Sequence, residues 1–449
     1  MREKTDLTSG SVWKSMLAFA VPLFIGNLFQ QFYGLADTAV VGNVIGKDAL
    51  TAVGTASSAM SLVTGLSMGL STGSNIVISQ CFGAKRYSDT RTAVSTALRA
   101  FLVLGVIASI VGLQLINPLL SLLQTPTECL VYAQQYLRIA FLGAIFIMMY
   151  NILNQISIAT GDSQTPMLML IIASVLNVVL DILFAAKLNM GVGGVALATV
   201  IGQGFSAVTC FVILRRRMES LCGDQAGVGF DRAVCGQMFK LGLPSMLQTG
   251  ISSSGVMAMQ GLMNSLGSNT AAAFVAANKI DGIAMTPMVS LGTAMGTFSA
   301  QNIGAKKTER VKEGMRFNHI FAVCICIVLG IVIFSIGGTL LGLFLKADTA
   351  QEVIDIGIEY LHVAVFSYAV MAFMFITTGV LRGAGDVKVV FASAMLDLGC
   401  RVLFAYACVG FMGRYAVWLS YPFGWFCSCV LAYSRYFSKK WMNIKVLKD

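Results

Sequence analysis

Apolar runs of bilayer-spanning length recur twelve times along this 449-residue chain. A hydrocarbon core about 30 Å thick needs roughly 20 consecutive apolar residues in a helix. With no water there to bind the backbone, only helices and closed barrels can cross it. A barrel would alternate polar and apolar residues at period two, and runs such as IVLGIVIFSIGGTLLGLF do not alternate. Charged residues make up 12% of the chain, about half the share usual in soluble domains. The expected fold is therefore an all-α polytopic membrane protein with twelve transmembrane helices in two pseudo-symmetric six-helix bundles. The spans are expected near 15–40, 49–78, 92–115, 131–156, 166–186, 192–214, 236–265, 270–300, 317–344, 355–380, 389–411 and 415–437.

The net charge of +10 invites a nucleic-acid reading, but its distribution points elsewhere. With the N-terminus inside, the inner loops and tails carry 23 Lys and Arg and the outer loops only four, Lys47, Lys187, Lys346 and Arg414. That is the positive-inside asymmetry, and it orients the chain with both termini cytoplasmic. The eleven cysteines stand mostly alone in apolar stretches and the two histidines, His319 and His362, are far apart, so no metal cluster is expected. The opening MREKTDLTSG is polar and leads into a full span, so no cleavable signal is expected.

The two halves repeat. QCFGAKR at 80–86 matches QNIGAKK at 301–307, YLRI at 136–139 matches YLHV at 360–363, TGDS at 160–163 parallels AGDV at 384–387, and LNVVLDILF at 176–184 matches LDLGCRVLF at 396–404. The expected organisation is a lobe at 1–214, a cytoplasmic linker at 215–235, a second lobe at 236–437 and a basic tail at 438–449. An even number of spans per half makes the repeats parallel, related by an axis along the membrane normal. This is a common basis for alternating access.

Within the spans, acidic residues are costly unless protonated, paired or ion-bound, and so mark function. Asp37 lies in the first span and Asp181 in the fifth, with Asn177 one turn before it on the same face. Together with Thr199 in the sixth span they form a candidate cation-coupling site in the first lobe, fit for H⁺ or for Na⁺ held by hard oxygens. The matching positions of the second half hold Asp397 and Arg401, which neutralise each other one turn apart. The ion site is therefore expected in the first lobe alone. Lys279 and Asp281 form a second polar spot, either a packed pair or part of a cleft. Pro22 is expected to bend the first span; Pro287 lies in the eighth. Weaker candidates for a substrate cleft are Gln31, Met149, Asn151, Asn154, Gln155, Met257, Gln260 and Asp281, where amides or a carboxylate stand among Met and aromatic residues.

These features resemble the multidrug and toxic compound extrusion (MATE) family over nearly the whole chain. The resemblance rests on Pro22, LADTAVVG around Asp37, the repeated QxxGAK[RK] segments, TGDSQTP at 160–166 and Asn177-x-x-x-Asp181. The seventh span carries no acidic residue, which points to the branch with MepA-like and DinF-like members. The resemblance implies H⁺- or Na⁺-coupled antiport of small, often cationic, amphipathic compounds with no cofactor. It places Asp37, Asn177, Asp181 and Thr199 on the family's first-lobe cation site and Pro22 on its bending proline. The expected setting is the plasma (inner) membrane of a prokaryote, with the chain working as a monomer and binding no nucleic acid. Two rival readings are a lipid or lipid-linked oligosaccharide flippase of the same superfamily, and a membrane-embedded transferase enzyme. The first would want a cationic cavity and the second clustered loop acids.

Overall fold

The computed structural model describes residues 6–44, 47–222, 229–345 and 351–446, with the side chains of 35–48, 50, 186, 221–222 and 253–254 also outside the description. In chain order the helices are α1 (Val12–Val44), α2 (Lys47–Gly83), α3 (Tyr87–Leu122), α4 (Thr127–Leu142), α5 (Ala144–Ala159), α6 (Gln164–Asp181), α7 (Gly191–Cys222), α8 (Arg232–Ser265), α9 (Ser268–Gly304), α10 (Thr308–Gly342), α11 (Gln351–Gly383), α12 (Val387–Met412) and α13 (Arg414–Phe437). They account for the twelve expected spans, because α4 and α5 are two parts of one. Eight described helices are long and apolar enough to cross a bilayer, and the bent pair makes a ninth. The remaining three, α2, α8 and α9, are diluted with Gly, Ser and Thr.

The exposed faces carry the membrane signature. Along α3, Val103, Ile107 and Ile110 are about half exposed, while Gly105 and Gly112 on the other face are buried. Ile327, Val328 and Ile331 of α10 are likewise exposed, with Cys326 and Gly330 buried beside them. An apolar surface that continuous would drive a water-soluble chain to aggregate, whereas lipid solvates it. Inside, small residues let helices touch backbone to backbone, as packing without a hydrophobic drive requires. A Cβ on Gly292 would lie 2.9 Å from the Phe375 carbonyl oxygen, and one on Gly383 only 2.8 Å from the Ala300 nitrogen. These contacts make α9 and α11 a close pair.

Two spans depart from the single helices expected. The fourth breaks at Gly143 and turns through 51° between α4 and α5. A side chain on Gly143 would strike Val200 of α7, so the bend and the close approach need the same missing Cβ. The fifth runs as α6 to Asp181 and then as a π-helix over Ile182–Lys187. There the Leu188 amide donates to the Leu183 carbonyl, five residues back, at 3.0 Å.

The chain separates into two compact units, one of 1–6 with 25–246 and the other of 7–24 with 247–449. This differs from the expected lobes at two places. Residues 7–24 pack with the second half: Lys307 donates to the Thr8 carbonyl at 2.8 Å, and Arg310 to those of Gly10 and Ser9 at 2.9 and 3.1 Å. Residues 232–246 pack with the first: Asp231 N–H donates to Thr96 Oγ1 at 3.0 Å, and a Cβ on Gly242 would lie 2.7 Å from the Leu70 carbonyl oxygen. The expected linker is also helical through Cys222. The two divisions that fall within helices each come just after a proline, Pro22 in α1 and Pro244 in α8, at matching places in the repeat.

The repeat reappears as geometry. Lys85 and Lys306 of the two GAK segments both have positive φ, 58° and 60°, as do Gly161 and Gly385 of the two GD turns, 79° and 83°. Asp162 of the first GD turn pairs with Arg217 at 2.6 Å, and Asp386 of the second with Arg435 at 2.5 Å. Arg217 also donates to the Thr160 carbonyl at 2.8 Å, which ties the end of α7 to the turn before α6. Both members of the Asp162–Arg217 pair are only 16% exposed, and removing one partner of such a pair leaves a largely desolvated charge. Arg217→Ala is therefore expected to destabilise the detergent-solubilised protein by about 2–4 kcal/mol. Lys312→Ala, whose partner Glu309 is solvent-exposed, should leave the thermal melting point within error of wild type.

Candidate ion-coupling site

The first unit brings together three of the four residues expected to handle a coupling ion. Asn177 and Asp181 are 3% and 0% exposed, one turn apart at the end of α6, and they face Thr199 on α7. Gly202 lets α7 come close at this level, since a Cβ there would sit 3.6 Å from the Cβ of Asn177. The Asn177 amide bridges the two helices: its NH₂ donates to Asp181 Oδ2 at 2.8 Å and its oxygen accepts from the Thr199 N–H at 3.0 Å. Thr199 Oγ1 itself donates to the Val195 carbonyl at 3.1 Å, which orients the hydroxyl. Directly after Asp181 the helix changes to its π-turn, a departure from the α-ladder that commonly marks functional positions. Asp37 lies on α1, but its side chain is outside the described residues.

The second unit answers the same positions differently. Arg401 Nη2 donates to both carboxylate oxygens of Asp397, at 2.9 and 2.8 Å, and its guanidinium lies 4.3 Å from the centre of the Tyr421 ring and 5.8 Å from that of Trp425. This is the self-paired site anticipated from the repeat, clamped by aromatic faces.

Of the two readings of Asp281, the pair with Lys279 is not formed: the Lys279 ammonium lies over the Phe344 ring at 5.6 Å. Asp281 is 3% exposed, and Tyr368 and Tyr360 of α11 donate to its two oxygens at 2.6 and 3.2 Å. The Tyr360 ring is in turn held edge-on by Phe274 and Trp418. Local sequence gives no sign of this cluster, because its partners are about 80 residues away. The one available cue is the eight-residue spacing of the tyrosines, which places them on one helix face.

The other amides are scattered in their roles. Asn75 donates to the Gln155 side chain and backbone at 3.2 and 3.0 Å, and Asn151 donates to Ser67 Oγ at 3.3 Å, so both belong to the α2–α5 contact. Asn154 Oδ1 is buried with no hydrogen-bond partner among the described residues. Gln260 donates to Asn264 at 2.9 Å, Met257 is 72% exposed, Gln31 is exposed and Met149 half-buried.

A duplicated bundle of membrane-spanning helices, with a carboxylate buried in one half and an ion pair at the matching place in the other, is the frame of a membrane transport protein. The MatE family model matches residues 22–183 and 244–407, so its two copies begin at the two prolines. The chain therefore belongs to the MATE family, and it is a transport protein rather than an enzyme. The probable multidrug resistance protein YoeA of Bacillus subtilis is 30% identical over 95% of this chain and 94% of its own. The multidrug export protein MepA of Staphylococcus aureus is 24% identical over 84% and 82%, in keeping with the MepA- and DinF-like branch. A solved MATE transporter of the MOP superfamily in an outward-facing conformation superposes with a TM-score of 0.91 at 23% identity, covering 98% of this chain and 99% of that one, which shows the fold.

The Asp281 cluster yields its own expectation. Tyr368→Phe removes the shorter bond and should cost about 1–3 kcal/mol of thermal stability, with Tyr360→Phe costing less. Equal melting points for both variants and wild type would show that the phenols do not hold the carboxylate.

Proposed function

We propose that the secondary-active multidrug export of this chain is coupled to proton uptake at Asp181. The observation that carries this reading is a fully buried carboxylate that accepts from the neutral Asn177 amide, next to Thr199 and the π-turn. Ionised Asp181 selects the orientation in which the amide NH₂ donates to it. Protonated Asp181 becomes a donor, so the amide oxygen turns to accept from it and the NH₂ turns to Thr199. Taking up a proton thus reverses the amide dipole between α6 and α7, next to the π-turn. A ligand shifts a conformational equilibrium only through different affinities for the two states, and this reversal is a local source of such a difference. Asp37 is the second carboxylate of the proposed site. If the family's other coupling ion is used, the Asp181 carboxylate, the Asn177 oxygen and the Thr199 hydroxyl are the groups that would hold Na⁺, supplying positive charge beside the carboxylate.

The substrates we propose are small amphipathic compounds, cations prominent among them, in line with the relatives named for multidrug resistance and export. Asn154 is the strongest polar candidate for contacting them; Gln31, Met149, Met257 and Gln260 are further candidates. Pro22 and Pro244 are proposed as paired bending points in α1 and α8, one for each crossing between units. The setting is the cytoplasmic membrane, termini inside as the charge asymmetry directs, and one chain suffices as the working unit.

Efflux of a fluorescent organic cation from proteoliposomes under an imposed pH or Na⁺ gradient tests the coupling. A pH gradient should drive flux, Asp181→Asn should reduce it to the passive leak while cation binding persists, and Asn177→Leu should slow it at least ten-fold. Wild-type flux from Asp181→Asn would remove the site, and flux under Na⁺ alone would assign the same groups to Na⁺. Pro244→Ala should slow transport as much as Pro22→Ala does; an effect of Pro22 alone would show that bending is confined to the first half.

A further inference from the structure

A groove of about 430 Å³ opens between α3 and α7 of the first unit, lined on α7 by residues well beyond Thr199 in the chain. Its walls are of two kinds. Arg91 and Arg99 of α3 and Arg215 of α7 bring three guanidinium groups to it. Val94, Leu98, Leu214 and Met218 give it an apolar floor. Among the described lining residues the one acid, Glu219, accepts from Arg215 at 2.9 Å. Three basic side chains and one acidic side chain thus line it.

Position along the helices indicates what such a groove meets. At 1.5 Å per residue, the 36 residues of α3 extend about 54 Å, well beyond a hydrocarbon core of about 30 Å. Residues 91–99 belong to its first turns and 211–219 to the last turns of α7, so the groove sits at headgroup level. This is the side that the positive-inside asymmetry assigns to the cytoplasm. Farther into the bilayer the rim gives way to exposed apolar side chains, Leu102, Val103 and Val106 on α3 and Val208 and Val212 on α7. A basic mouth leading to an apolar track matches a molecule with an anionic head and a hydrocarbon tail. Basic pockets between transmembrane helices on the cytoplasmic side are the usual form of such recognition.

We propose that this groove is a binding site for an anionic phospholipid of the inner leaflet. The phosphodiester lies among Arg91, Arg99 and Arg215, and an acyl chain follows the exposed faces of α3 and α7. A soluble phosphate would have no use for the track, and an acidic peptide would find its mouth buried among headgroups.

Native mass spectrometry of the full-length protein, delipidated and titrated with phosphatidylglycerol or phosphatidylcholine, tests this. Wild type should retain phosphatidylglycerol at least five-fold more strongly. The double substitution Arg91→Gln with Arg99→Gln should abolish that preference, and Lys439→Gln with Lys440→Gln, an equal loss of charge in the tail, should leave it intact. Leu98→Trp fills the floor while keeping every charge, and should also weaken retention. Melting points like that of wild type establish that the variants are folded; Leu98→Trp alone decides the matter if the double substitution is not. Equal retention of the two lipids, or a preference unchanged by Leu98→Trp, would overturn the site. So would displacement of the lipid by glycerol 3-phosphate or by an acidic peptide at matched concentration.

Discussion

The absence of water in the bilayer core governs the structure. Every backbone group in a span must find its partner within its own helix, and every buried polar side chain must find one nearby or stand as an unstable charge. The same absence leaves helices without a hydrophobic drive to associate, and the close α9–α11 contact through Gly292 and Gly383 and the approach of Gly143 to Val200 answer it. Helices that gain little from hydrophobic association are held by contact area, and the missing Cβ atoms provide it. The second requirement explains why the ionisable side chains inside this protein are found in sets. Arg401 lies on Asp397 and two aromatic rings, and Asp281 accepts from two tyrosines.

Against that background the first unit is distinctive. Where the second half couples a carboxylate to a guanidinium, the first couples Asp181 to an amide that can act as donor or acceptor. A guanidinium only donates, so it holds its carboxylate in one state. An amide carries both a donor and an acceptor and no net charge. The two halves differ at both positions, Asn177 against Asp397 and Asp181 against Arg401, so one half holds an ion pair where the other holds a carboxylate and a neutral amide. The matched ion pairs Asp162–Arg217 and Asp386–Arg435 were kept in both halves, as befits contacts that hold helix ends rather than move protons.

Much of this was legible in the sequence because hydropathy and repetition are carried by many residues at once. The twelve spans, the division into halves, the one-turn relation of Asn177 to Asp181 and the Asp397–Arg401 pair all follow from spacing along a helix. What was not legible depends on contacts between distant segments. The Tyr360 and Tyr368 bonds to Asp281 and the pairing of Arg217 with Asp162 involve partners 55 to 87 residues apart. Arg217 sits in RRR, where charge counting reads all three side chains alike, yet Arg217 turns inward while Arg215 faces the groove between α3 and α7. Lobe boundaries drawn at the middle loop fail for a related reason. Loops mark where the chain turns, but compact units are marked by what packs together, and α1 and α8 each pack with both.

That last point has a mechanical consequence. A helix shared by two units transmits any change in their arrangement as bending or torsion of its own backbone, and the place that yields is where the ladder of hydrogen bonds is already interrupted. Proline supplies that interruption by lacking the N–H and crowding the preceding turn. Pro22 and Pro244 each precede the division of their helix by two residues, so compliance is placed where the load falls. α1 also carries Asp37 beyond its division, within the unit that holds Asp181. A change on one side of the proline and a change in packing on the other therefore act on one continuous helix.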